Sequence, residues 1–153
     1  MTTRCSPIAA LILVLTLPVL AQEKKIERSA LPPAVEKAVQ TETKDATING
    51  FAEEREHGKT FYEVETVIDG RTRDILFTSD GKIAEVEEEV AFDSLPTNVQ
   101  TGLKKKASGA AIVKVESLSR NGKLVAYEGT IRRHGKPAEI EIGAQGQNLA
   151  HEK

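Results

Sequence analysis

The stretch GKTFYEVETVIDGRTRDILFTSDGK, residues 58–82, decides the fold, because two Asp-Gly pairs in it separate runs of alternating apolar and polar residues. Asp-Gly between such runs is a strong hairpin signal, since the tight turn needs residues that accept a positive φ. In the first run Tyr62 and Val64 fall on one face of a strand, and Glu63 and Glu65 fall on the other. The stretch therefore predicts antiparallel strands with one apolar face and one acidic face.

A similar stretch, GKLVAYEGTIRRHGKPAEIEIGAQGQ, occupies residues 122–147, about 65 positions further along the chain. The two stretches and the segments before them align through apolar residues and turn glycines. The aligned pairs include Leu31 with Leu95, Val35 with Val99, Tyr62 with Tyr127, and Gly81 with Gly146. Agreement at so many spaced positions predicts an internal duplication, with repeat 1 at residues 31–92 and repeat 2 at residues 93–153.

Each predicted repeat opens with a pattern that is typical of a helix. SALPPAVEKAVQTE has prolines that suit a first helical turn, followed by apolar residues at Val35, Ala38 and Val39. FDSLPTNVQTGLKKKA follows the same plan with Val99 and Leu103. We expect about four antiparallel strands after each helix. The predicted fold class is therefore α+β, a tandem duplication of a helix followed by about four antiparallel strands, with the helices packed on one face of the sheet.

The first 21 residues are typical of a secretory signal peptide. Arg4 precedes the apolar run PIAALILVLTLPVL, which is too short for a comfortable membrane span, and Val19 and Ala21 fit a small-residue cleavage site. An uncleaved anchor helix is the alternative interpretation. We expect residues 22–30 to form an N-terminal linker, and we expect a periplasmic or secreted protein with no membrane span after cleavage.

The sequence gives little support to catalysis or to metal chemistry. Cys5 is the only cysteine and lies within the predicted signal peptide, so the exported chain is expected to have neither disulfides nor a reactive thiol. None of His57, His134 and His151 has a metal-ligating partner three or four residues away, and no nucleophile-elbow, phosphate-binding or HExxH motif occurs. We therefore predict no catalytic residues, no metal ligands and no cofactor.

Charge is divided unevenly along the chain. Residues 31–92 hold 7 Lys/Arg and 15 Asp/Glu, a net charge of −8, whereas residues 93–153 hold 10 and 6, a net charge of +4. Several acidic residues are spaced by two and are expected to line one sheet face: Glu63, Glu65, Glu85, Glu87 and Glu89. A solvated face that discourages edge pairing is the plain interpretation, and cation binding is the functional one. The net acidity and the predicted export disfavour nucleic acid as a partner.

The segments LPPAV and YEVETVIDGRTRDILFTSDGKI resemble the PepSY-like pattern of a Leu-Pro helix start, a Tyr-Glu-Val strand and two Asp-Gly turns with a lysine after the second. The two-copy, secreted form is similar to the β-lactamase-inhibitor-like group of these proteins. The second copy departs from the pattern at Gly129, His134-Gly135 and Gln145-Gly146. The resemblance implies a non-enzymatic exported domain, because relatives occur in metallopeptidase propeptides and β-lactamase inhibitor proteins bind through the concave face of their sheet.

These observations predict a secreted, non-catalytic, protein-binding module that inhibits or modulates an exported peptidase or other enzyme. The expected partner surface is the polar sheet face, with five candidate contact residues: Glu63, Glu65, Glu85, Glu87 and Arg132. The alternative is a periplasmic protein that binds a small ligand or a cation on the same acidic face. Inhibition of a β-lactamase in particular is disfavoured, because the chain has no tryptophan and two tyrosines, residue types that dominate interface hot spots.

Overall fold

The structure, a computed structural model, describes residues 22–56 and 58–149. The predicted signal peptide, with Cys5, and both His57 and His151 lie outside the described residues. Within those ranges no helix is long and apolar enough to span a membrane.

Two α-helices and eight strands make up the described chain. The helices are α1, Pro33–Glu42, and α2, Thr97–Ala107, each preceded by a short 3-10 turn at Arg28–Ala30 or Phe92–Ser94. The strands are, in chain order, β1 (Gln22–Lys25), β2 (Thr47–Glu56), β3 (Lys59–Ile68), β4 (Arg71–Thr78), β5 (Ile83–Glu89), β6 (Ala111–Arg120), β7 (Lys123–Arg133) and β8 (Lys136–Gly143).

The predicted tandem of two helix-plus-four-strand units is wrong. The eight strands form one curled antiparallel sheet whose spatial order follows the chain from β1 to β8. One strand, β1, lies ahead of α1 in the segment expected to be a linker, and α2 is followed by three strands and a single bridge between Ile142 and Asn148. The physical reason is that β5 pairs with β6, so hydrogen-bonding groups that would form two exposed sheet edges satisfy one another.

Both helices pack on the same face of this sheet. On α1, Val35 and Val39 are fully buried, and on α2, Val99 and Leu103 are fully buried. The first pair packs against strand residues Val64, Ile75 and Phe77, and the second pair against Val115, Tyr127, Ile131, Ile140 and Ile142. The register across β3, β4 and β5 places Val64, Ile75 and Val86 side by side, which gives the continuous apolar surface that the helices cover.

Two turn glycines allow the helices to approach the sheet closely. Gly81, between β4 and β5, has a φ of +79°, and a Cβ on it would lie 2.5 Å from the carbonyl oxygen of Ala34 on α1. Gly146, after β8, has a φ of +76°, and a Cβ there would lie 2.5 Å from the carbonyl oxygen of Asn98 on α2. Each glycine therefore serves both the turn and the contact with a helix.

Candidate functional site

The sheet face opposite the helices carries a continuous set of carboxylates, which we call the acidic face. Alternation along the strands sends every second side chain to this face, and nearly every strand contributes an acidic one. The carboxylates of the acidic face include Glu23, Glu54, Glu63, Glu65, Asp74, Glu85, Glu87, Glu89, Glu116, Glu128, Glu139 and Glu141.

The strand register places many of these carboxylates directly opposite one another. Asp74 lies opposite both Glu65 and Glu87, which makes a row of three acidic residues across β3, β4 and β5. A second row crosses β5 to β8 and consists of Glu89, Glu116, Glu128 and Glu141. Directly opposite side chains have Cβ atoms about 5 Å apart, and like charges in this arrangement destabilise a sheet. The acidic face is therefore a source of electrostatic strain in the free protein.

The acidic face is concave. Ala52, Leu118 and Ala126 point to it, and each is at most 3% exposed although neither helix covers this side. A small hollow of about 40 Å³ opens between β2 and β5, lined by Glu54, Glu63, Asp74, Leu76, Glu85 and Glu87. Because the sheet curves around these carboxylates, they meet less water than they would on a flat surface.

Two cations neutralise part of the acidic face. The Lys114 ammonium donates a hydrogen bond of 2.8 Å to Glu116, which is 4% exposed and also accepts one of 3.1 Å from the Thr72 hydroxyl. Arg120 forms an ion pair with Glu85 across β5 and β6.

Three other carboxylates at the centre of the acidic face, Glu63, Glu87 and Glu128, differ from this pair in their surroundings. Within residues 22–56 and 58–149, no lysine or arginine forms an ion pair with Glu63, Glu87 or Glu128. These three side chains are half-buried and stand on β3, β5 and β7. Burial of a carboxylate without a counter-charge favours its protonated form.

Several acidic groups consequently have raised pKa values. Burial, followed by the charges of Glu54 and Asp74, raises the pKa of Glu63 to about 8. Burial, followed by the charge of Glu128, raises the pKa of Glu87 to about 8, and burial also raises the pKa of Glu128 to about 7. Burial likewise raises the pKa values of Glu54 and Asp74. Near neutral pH the acidic face therefore holds protons that an approaching cation can displace.

Two sets of carboxylate oxygens lie close enough to share one cation. The oxygens of Glu23, Glu63 and Glu65 lie within 4.8 Å of one another, and the same holds for Asp74, Glu87 and Glu116. Carboxylate oxygens are the ligands that hard cations such as Ca²⁺ prefer. The arrangement can bind positive charge, whether it comes as metal ions or as side chains of a partner.

Four of the five predicted contact residues lie together on the acidic face: Glu63, Glu65, Glu85 and Glu87. The fifth, Arg132, is exposed and lies four residues beyond Glu128 on β7, opposite Ala111 and Pro137 at the end of the sheet. Sequence reasoning missed Asp74, Glu116 and Glu128 as members of the site. A signal existed for Glu128, which aligns with Glu63 through the shared Tyr-Glu pair, but the place of Asp74 and Glu116 depends on the register between strands.

Solved structures share this fold, whereas no protein-family model and no curated protein matches the chain. A BLIP-like protein from Bacteroides fragilis is 20% identical, with a TM-score of 0.54 over 76% of this chain and 82% of that chain. A provisionally periplasmic protein from Bacteroides eggerthii is 16% identical, with a TM-score of 0.61 over 78% and 86%. A DUF2874 family protein from Bacteroides ovatus is also 16% identical, with a TM-score of 0.59 over 78% and 85%.

At these identities the similarity shows a shared fold. The chain thus has the fold of a BLIP-like protein, which agrees with the resemblance to the β-lactamase-inhibitor-like group. Its assignment to the PepSY-like proteins stays a prediction.

Proposed function

We propose that this protein is an exported, non-catalytic binding module of the PepSY-like type, whose acidic face binds the cationic surface of another exported protein and modulates it. The observation that carries the proposal is the concave acidic face, whose central carboxylates Glu63, Glu87 and Glu128 form no ion pair with any described residue. A peptidase or another exported enzyme is the partner that the resemblance implies.

The electrostatics of the acidic face support binding of a cationic partner. Lysine or arginine side chains that enter the hollow would relieve the repulsion between opposed carboxylates and displace their protons. A charged, concave surface also steers an oppositely charged protein toward it and so raises the association rate. The same field repels acidic proteins, which supplies a measure of selectivity.

Export and the absence of catalysis are parts of the same proposal. The predicted signal peptide and the description of the Bacteroides eggerthii neighbour as provisionally periplasmic both support a periplasmic or secreted location. Carboxylates with raised pKa values also occur in enzymes. Within the described part of the chain, however, the hollow is lined by carboxylates and Leu76, with no histidine, cysteine, serine or lysine among them.

A crosslinking capture with matched variants tests the proposed function. Three proteins are exported in the native host: wild type, the triple variant Glu63→Gln/Glu87→Gln/Glu128→Gln, and the control Glu27→Gln/Asp45→Asn/Asp93→Asn. The control removes three exposed charges from outside the acidic face. We expect wild type and control to capture the same exported protein and the face variant to lose it. Equal capture by all three proteins would show that the acidic face is not the binding surface.

The two carboxylate trios favour a second candidate function, the binding of a divalent cation. If it is correct, millimolar Ca²⁺ raises the melting temperature, because a ligand that binds only the folded state stabilises it, by about 2.7 kcal/mol at a hundredfold excess over Kd. The variant Asp74→Asn/Glu87→Gln should reduce that rise, since it removes two of three ligands in one trio and leaves the other trio intact. A melting temperature that Ca²⁺ leaves unchanged in wild type at a pH of about 8.5, where the carboxylates are ionised, removes this candidate.

A further inference from the structure

One end of the sheet carries exposed cations, and we call this region the basic end. It comprises Lys104 and Lys105 in the last turn of α2 and Arg132, Arg133 and Lys136 at the β7–β8 turn. All five are exposed. The guanidinium of Arg133 donates a hydrogen bond of 3.4 Å to the backbone oxygen of Lys106, so the end of the helix and the strand turn lie side by side.

Among residues 22–56 and 58–149, the cations of the basic end have no carboxylate as an ion-pair partner. Lys104 instead lies over the Phe92 ring, 5.2 Å from its centroid. The helix dipole accounts for lysines in the last turn of α2. It does not account for Arg133 and Lys136, which lie directly opposite each other across β7 and β8. Like charges so placed destabilise a hairpin unless an anion lies nearby.

We propose that the basic end of one copy of this chain docks on the acidic face of a second copy, so that the protein associates head to tail. The proposal rests on the proposed function, because it names a second copy as one cationic partner of the acidic face. The evidence is that like charges lie opposite one another on both surfaces, with opposite sign on the two, and that those at Glu87, Arg133 and Lys136 form no ion pair with any residue that the structure describes. The cations of the basic end would offset the repulsion between carboxylates on the acidic face, and those carboxylates would offset the repulsion between the cations.

Shape and net charge are compatible with this association. The β7–β8 connection is a two-residue turn at His134 and Gly135, so Arg133 and Lys136 stand at the corners of a narrow hairpin. A hairpin of this kind suits a concave surface better than a flat one. The formal net charge of the whole chain is −2, which is too small to keep two copies apart.

An interface between two different surfaces of one protein does not limit the assembly to a dimer. A head-to-tail interface leaves a free acidic face at one end of a dimer and a free basic end at the other, so it generates rings or open chains. The wild-type protein should therefore form species larger than a dimer as its concentration rises.

Analytical ultracentrifugation of two complementary variants tests the inference. The face variant is Glu63→Gln/Glu87→Gln/Glu128→Gln, and the end variant is Lys105→Gln/Arg133→Gln/Lys136→Gln. At low salt we expect wild type to self-associate, and each variant alone to associate at least about ten-fold more weakly, the effect of losing about 1.4 kcal/mol. A mixture of the two should form a dimer that grows no further, because one intact acidic face meets one intact basic end.

The salt dependence of self-association and the behaviour of the mixed variants test the inference. Association of wild type should weaken at high salt, where the screening length falls to about 3 Å at 1 M. Wild type that stays monomeric at low salt, or two variants that fail to form the mixed dimer, overturns the inference. The proposed function has a separate readout, because the acidic face can bind an oligolysine probe even if the protein does not bind itself.

Discussion

The melting temperature of this protein is expected to fall as the pH rises from about 5 to about 8.5. The pKa values of Glu63, Glu87 and Glu128 in the folded chain are about 8, 8 and 7, against 4.5 for an ordinary glutamate. Each group therefore binds its proton more tightly when the chain is folded. The corresponding stability is fully present below a pH of about 4.5 and is lost as the pH rises through these folded-state values. The pKa values of Glu36 and Asp80 are lowered, so these two groups change the stability only at a pH below this interval.

The variant Glu63→Gln/Glu87→Gln shows whether the acidic face causes this pH dependence. An amide keeps the shape of a protonated carboxyl group but cannot ionise, so the melting temperature of the variant should fall less than that of wild type across the interval, with Glu128 still contributing. At pH 8.5 we expect it to exceed wild type by about 2 kcal/mol, after a discount for partial exposure, or about 4–8 °C. Thermal melts of wild type, this variant and the exposed control Glu27→Gln make the comparison. A wild-type melting temperature that is flat or rising across the interval would contradict the prediction.

Replacing Gly81 by alanine is expected to lower the free energy of unfolding by about 3 kcal/mol or more, the range reached when strain and a clash combine. The new Cβ would lie 2.5 Å from the carbonyl oxygen and 2.8 Å from the carbonyl carbon of Ala34. Both atoms belong to the backbone of α1, so the helix itself has to move. The φ of +79° adds a second cost, because a side chain disfavours this conformation.

Gly122 provides the matched control for Gly81. It has a φ of +72°, but a Cβ on it would meet nothing within 4 Å. Gly122→Ala should therefore cost only the conformational strain, about 1–2 kcal/mol. Urea denaturation of the two variants separates the two effects, because the difference between them measures the clash with α1. Equal losses would mean that α1 does not lie against the β4–β5 turn as described.

The turns and the strand faces could be predicted from the sequence because their signals are local. Gly70 and Gly81, in the two Asp-Gly pairs, were expected at tight turns, and both have a positive φ. The alternation of Glu63 and Glu65 with Tyr62 and Val64 places the acidic and apolar side chains on opposite faces, as observed.

The continuity of the sheet could not be predicted in the same way. A strand sequence shows which side chains share a face, but it does not show which strand lies along its other edge. The pairing of β5 with β6 and the addition of β1 to β2 depend on backbone hydrogen bonds between distant segments. The prediction of a helix followed by about four strands in each unit failed for this reason.

The candidate site was predictable in part. Spacing by two placed Glu85 and Glu87 on one face of a strand. The positions of Glu87 opposite Asp74, and of Glu116 opposite Glu128, follow from the register between strands. The carboxylates are partly buried on a face that neither helix covers because the sheet curls around them. The raised pKa values result from these two features together, so no single stretch of sequence indicates them.

The most direct test of the acidic face as a binding surface is calorimetric titration with an oligolysine peptide at low salt and neutral pH. Wild type and the control Glu27→Gln/Asp45→Asn/Asp93→Asn should bind the peptide with equal, salt-sensitive affinity. The variant Glu63→Gln/Glu87→Gln/Glu128→Gln should bind at least about ten-fold more weakly. Equal binding by all three proteins, or no binding by wild type, would contradict the account.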